Sequence, residues 1–164
     1  MTASARRLAI LGALLLVLGA CTPICGIGAK FALTAARVDA QHDCPNGSNR
    51  APYAVNGSID ASNTLSNTVT IKSIDEVDQI VATAGEWQGS KNAKDGGPVT
   101  DFSPKSVGSG DNATIKFSVG FICTSSGPTV TTYADFKFTF TVKTSAGTYT
   151  IDAGNHHRLN FPPS

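Results

Sequence analysis

Period-two alternation of apolar and polar residues is the clearest signal along the chain. Over 113–123, Ile115, Phe117, Val119, Phe121 and Cys123 fall on one side of an extended strand. Thr114, Lys116, Ser118 and Gly120 fall on the other. Over 134–143, Phe136, Phe138, Phe140 and Val142 alternate with Asp135, Lys137, Thr139, Thr141 and Lys143. Such runs mark strands with one buried and one wet face. Thr144-Ser145-Ala146-Gly147 reads as a turn, after which Tyr149 and Ile151 resume the alternation, so the pair predicts a hairpin. Shorter strands are expected at 53–59, 67–74, 99–102 and 158–161.

One stretch carries two periods at once. Ser73-Ile74-Asp75-Glu76 matches a helix capping box, with Ile74, Val77, Ile80 and Val81 near helical spacing and Gly85 as a stop. The same residues also suit two short strands around an acidic turn, and the sequence leaves both readings open. The segment 84–112 is rich in Gly, Ser, Pro, Asp and Lys, and is too long for a plain loop. The sum is an all-β chain: an antiparallel sandwich of about seven short strands. In architecture it resembles immunoglobulin-like β-sandwiches. It departs from the antibody-type pattern, because Trp87 lies 43 residues after Cys44 and Phe121, not a tyrosine, lies two before Cys123.

The N-terminus follows another rule. From Leu8 to Ala29, 22 residues carry no charge, flanked by Arg6 and Arg7 before and Lys30 after. As a helix this run spans roughly 33 Å, close to a hydrocarbon core of about 30 Å. The charge bias puts the N-terminus inside and the body outside. Three readings stay open: a retained membrane anchor helix, a lipoprotein-type signal and an ordinary secretory signal. Leu18-Gly19-Ala20-Cys21 resembles the lipobox of bacterial lipoproteins, which implies lipidation of Cys21. Pro23 kinks a spanning helix, and Cys21 and Cys25 share one helix face. Each reading exports the body, and the anchor and lipoprotein readings make the membrane bilayer its first partner. The expected organisation is a signal or anchor segment over 1–36, a juxtamembrane linker over 37–43 and an extracytoplasmic domain over 44–164. The stretch 30–41 is expected to prolong the anchor as a helix.

The chain has 164 residues and a formal net charge of +1, with only 15% charged residues. From Arg37 onward seven Lys and three Arg face twelve acids, so the exported part is slightly acidic and nucleic acid is not an expected partner. Outside the apolar run only Cys44 and Cys123 remain, and an exported pair reads as one disulfide. A Cys/Cys/His metal site lacks ligand spacing, as no C-x2-C or H-x3-H occurs.

The search for chemistry returns little. No phosphate loop, H-E-x-x-H, EF-hand loop or G-x-S-x-G elbow occurs, and neither metal nor cofactor is expected. His156 and His157 are adjacent, so on a strand they point to opposite faces and read as a polar turn into the last strand. His42 reads as part of a solvated loop. Asp75, Glu76 and Asp78 suit either Ca²⁺ or an acidic turn. The expected function is therefore a membrane-tethered, non-catalytic binding domain whose ligand is an unknown protein or surface polysaccharide. Its recognition loop is expected at Trp87. The alternatives are an accessory subunit of a larger membrane complex and a hydrolase using His42, His156 or His157.

Overall fold

Among the described residues eleven strands form, the longest of them over the alternating stretches. A computed structural model describes residues 28–45, 49–124 and 127–163. In chain order the strands are β1 (Phe31–Val38), β2 (Gln41–Asp43), β3 (Asn49–Asn63), β4 (Val69–Ala84), β5 (Lys94–Pro98), β6 (Asp101–Ser103), β7 (Ser106–Val107), β8 (Asn112–Thr124), β9 (Thr132–Thr144), β10 (Gly147–Asp152) and β11 (His157–Phe161). They build two sheets, a β-sandwich. One sheet runs β1-β3-β8-β6; the other runs β2-β11-β9-β4-β5, with β10 also on β9 and β7 also on β4. Pairing is antiparallel except between β11 and β2, which are parallel.

The core lies between the sheets. From β9 it takes Phe136, Phe138, Phe140 and Val142, and from β3 and β8 it takes Val55, Ile59, Ile115 and Phe117. Phe117 meets Phe140 across the sandwich with ring centroids 4.7 Å apart. Each such side chain contributes roughly 1.5–3 kcal/mol on burial, so these positions dominate the packing. Two asparagines inside are fully engaged. Asn63, fully buried, donates to the carbonyls of Asn67, Val107 and Gly108 and so closes the turn that follows β3. Asn155 binds both the N–H and the C=O of Val38, as a neighbouring strand would.

Cys44 follows β2 in one sheet and Cys123 sits on β8 in the other, and the two are joined in a disulfide with a Cα–Cα distance of 5.8 Å. The staple therefore crosses the sandwich. Its sequence separation is 79, for which chain entropy gives roughly 4.5 kcal/mol as an upper figure.

Three expectations change. The ambiguous 73–84 stretch is neither a helix nor two strands around a turn; it is the continuous strand β4, whose residues pair with β9 almost throughout. The stretch 30–41 is not a helical extension: β1 lies along β3, and β2 lies along β11. Its alternating contacts, not its apolar content, decide its form, since Phe31, Ala36 and Val38 are buried and Ala32, Leu33 and Arg37 are not. The strands are also longer and more numerous than seven short ones, four of them running 13 to 16 residues. The apolar run with Cys21, Pro23 and Cys25 lies almost wholly outside the described residues. Among the described residues no helix is long and apolar enough to cross a membrane.

Candidate binding cleft

The inner face of β4 presents Ile74, Glu76, Asp78 and Ile80 in turn. Alternation alone thus sends two acids inward. Glu76 is 5% exposed and Asp78 6%. Across β9 they stand in register with Phe140 and Phe138, and across β5 with Gly97 and Asp95. Asp95 therefore lies directly opposite Asp78 on the same face, a like-charge cross-strand pair of the kind that destabilises a sheet. Gly96 makes the close pairing feasible: a Cβ there would come within 2.3 Å of the Glu76 carbonyl oxygen.

These acids line a cleft of about 840 Å³ between the two sheets. One wall is β5, from Lys94 to Pro98. The other is the stretch of β8 from Ser118 to Ile122, with Phe121, Phe136 and Trp87 supplying apolar surface. Trp87 is held by its loop. The Glu86 N–H donates to the Thr132 hydroxyl at 2.9 Å, and the Glu86 carboxylate takes the Thr129 N–H and hydroxyl. The indole packs edge-on to Phe136 at 6.0 Å and against Phe161 at 5.6 Å. Two buried polar atoms here have no hydrogen-bond partner, Glu76 Oε2 and Trp87 Nε1.

The electrostatics follow from this crowding. Burial, then the charges of Asp78 and Asp95, push the Glu76 carboxyl up to about 7, against a smaller pull from the Gly97 N–H. Burial and Asp95 push Asp78 up to about 6. Among the described residues the ion pairs are Lys137–Asp152, Lys143–Asp75 and Arg158–Asp135, and none reaches the cleft. The site can bind a cation or hold a proton near neutrality.

A buried polar chain lies beside it. His157, 1% exposed, has Nδ1 2.7 Å from the Asp39 carbonyl oxygen. A carbonyl only accepts, so Nδ1 carries the proton and Nε2 accepts from the Tyr53 hydroxyl at 3.3 Å. Burial holds His157 below the usual histidine range. The Tyr53 hydroxyl is pushed up by burial and by the charge of Asp78. The His42 ring stacks on Tyr53 at 4.0 Å.

The residues singled out by sequence are thus divided. Trp87 lines the cleft, although it is half-buried and packed rather than displayed on a free loop. Asp75 points away from Glu76 and Asp78 and meets Lys143 at 3.0 Å, so the three acids do not converge. His42 is half-buried on β2, not in a solvated loop. It lies with Cys44 and Cys123 in a cluster of donor atoms within 4.8 Å of one another, but the disulfide engages both sulfurs. His156 is exposed and His157 buried, as alternation demands. Cys21 lies outside the described residues. Sequence reasoning missed Asp95 and the Tyr53–His157 pair, because only strand register brings them to this place.

No family model matches the chain, and no curated protein matches it in sequence. Among solved structures it is similar to the X-ray structure of Northeast Structural Genomics Consortium target SoR45, at 9% identity and a TM-score of 0.38, over 80% of this chain and 85% of that one. It is also similar to a PapD-like domain of human CEP192, at 10% identity and TM-score 0.29, over 80% and 87%. A third is AggA, the major subunit of aggregative adherence fimbriae type I from Escherichia coli, at 8% identity and TM-score 0.27, over 83% and 97%. Overlaps this loose assign no activity.

Proposed function

We propose that the protein is an exported binding domain without catalytic activity, an immunoglobulin-like sandwich held at the membrane by its N-terminal apolar segment. The ligand seats in the cleft between β5 and β8. The observation that carries this reading is the Glu76 carboxylate, nine-tenths buried at an open cleft with one oxygen unpartnered. A fold tolerates such a group at a cost of about 1–3 kcal/mol, and a ligand that satisfies it recovers that cost.

Trp87 is the chain's one tryptophan, so its emission reports on this site alone. Full-length protein is titrated with soluble glycans, peptides and small cations. The expected result is a saturable change in emission with one ligand class, weakened by Glu76→Gln. A ligand that binds Trp87→Ala as tightly as the parent, by calorimetry, moves the site elsewhere. Hydrolysis is the second reading, favoured by a carboxyl held near 7, where general acids work. Turnover of the bound ligand, lost in Glu76→Gln, would establish it and end the non-catalytic reading.

A further inference from the structure

We propose that the cleft takes the ammonium or guanidinium group of a lysine or arginine side chain, presented by an extended peptide that adds as a strand along the free edge of β8. This rests on the binding-domain reading and names its ligand.

Strand pairing supplies the first argument. β8 pairs with β3 along its whole length, but with β6 only at Lys116–Ser118. Among the described residues nothing pairs with the other edge from Val119 to Ile122. β5 pairs with β4 alone, so its far edge is open too. Both edges line the same cleft. Every second residue of an unpaired edge aims its N–H and C=O outward, and an added strand satisfies them.

Charge supplies the second argument. Glu76, Asp78 and Asp95 share one face of the β4–β5 pair, and none of the ion pairs among the described residues involves them or Lys94, the lysine at the cleft rim. A lone metal ion is the poorer occupant, since the only group of three convergent ligands among the described residues is at His42, Cys44 and Cys123. A lysine or arginine side chain fits better on two counts. Its stem lies on apolar surface from Ile80, Phe121 and Phe136, and its head spreads donors over separated carboxylates. Trp87 adds an aromatic face for the same cation.

The test uses full-length protein and capped heptapeptides with randomised β-forming flanks and a fixed central residue. That residue is lysine, arginine, norleucine or glutamate. Lysine and arginine pools should change Trp87 emission saturably, and norleucine and glutamate pools should not. The double variant Glu76→Gln/Asp78→Asn should weaken binding on the order of tenfold to a hundredfold, as loss of charge-assisted hydrogen bonds predicts. N-methylation of alternate peptide nitrogens should abolish binding of one register while leaving the charge intact. Near-ultraviolet circular dichroism confirms that each variant keeps its fold. Equal binding of the norleucine pool overturns the cationic anchor, and insensitivity to N-methylation overturns strand addition. A response to CaCl2 alone, lost in the double variant, replaces the peptide with a metal. A response to uncharged glycans but to no peptide overturns this inference and keeps the binding-domain reading. Silence from every probe overturns both.

Discussion

β9 and β4 lie side by side, alternate with the same period and face the same interior, yet they have opposite characters. β9 turns in Phe136, Phe138, Phe140 and Val142. β4, in register beside it, turns in Ile80, Asp78, Glu76 and Ile74. The difference lies in what covers them. Phe117 and Phe121 of β8 close over β9, with Phe121 5.7 Å from Phe138. Along β4, the Val99 N–H bonds the Ile74 carbonyl and Val99 is buried there, whereas Glu76, Asp78 and Ile80 line the cleft. Covered inward positions select apolar side chains, because an unpaired charge there costs several kcal/mol. Inward positions at the cleft wall tolerate acids, because the space beside them is not filled by apolar side chains.

The comparison breaks most plainly at Phe138 and its register partner Asp78. Phe138→Ala leaves a cavity in the dry half and is expected to cost about 3–5 kcal/mol in urea unfolding. Asp78→Asn, one strand over, is expected to gain stability. Destabilisation by both would mean the two halves are packed alike. Trp87 stands between these extremes, half-buried against Phe136 and Phe161. Trp87→Ala is expected to cost about 1–2 kcal/mol, less than a core aromatic, and to weaken ligand binding while the domain stays folded. Outright unfolding would make Trp87 a core residue.

The pH dependence sharpens the comparison further. The folded values of Glu76 and Asp78, about 7 and about 6, lie above their ordinary 4.5 and 3.8. Between those limits the folded state holds protons that the unfolded state releases, so these two groups lower stability as pH rises from about 4 to 7. His157 works the other way, since a buried neutral imidazole favours the folded state only above its unfolded value. The difference between parent and Glu76→Gln/Asp78→Asn isolates the acids. Water reaches the cleft, so each acid is expected to contribute on the order of 1 kcal/mol. The variant should be the more stable at pH 8, and the gap should close by pH 4. A gap that is constant with pH would mean that the carboxyls ionise normally.

Much of the sandwich was legible in the alternation of 113–123 and 134–143, and the disulfide in the lone pair Cys44 and Cys123. The cleft was legible only in pieces. Trp87 stands out by rarity, while Glu76 and Asp78 stand out beside Asp75, which the strand sends to the opposite face. Along 73–84 the helical and extended periods both fit, because Ile74 and Ile80 serve either. Pairing with β9 decided the matter, and that is a long-range fact. Asp95 sits in a glycine-rich stretch without a pattern of its own, and its place opposite Asp78 comes from register alone. The early strands were hidden by their apolar neighbours, since 31–38 reads as an extension of the preceding run.

The smallest expected effect tests the premise behind all the others, that neighbouring acids on β4 face different worlds. Asp75 and Glu76 are consecutive, so a strand sends them to opposite sides. Asp75 lies on the outer face at 41% side-chain exposure, paired with Lys143 at 55%. Such a pair is worth about 0–1 kcal/mol and is screened by salt. Asp75→Asn is therefore expected to lower stability by a few tenths of a kcal/mol at low salt, and by less in 1 M NaCl. Trp87 emission should be unchanged, as Asp75 does not line the cleft. Glu76→Gln, one residue on, is expected to raise stability at pH 8 and to shift Trp87 emission, with little response to salt. If the two variants behave alike in both salt and fluorescence, the alternation of β4 is wrong at this point, and the cleft loses its acid.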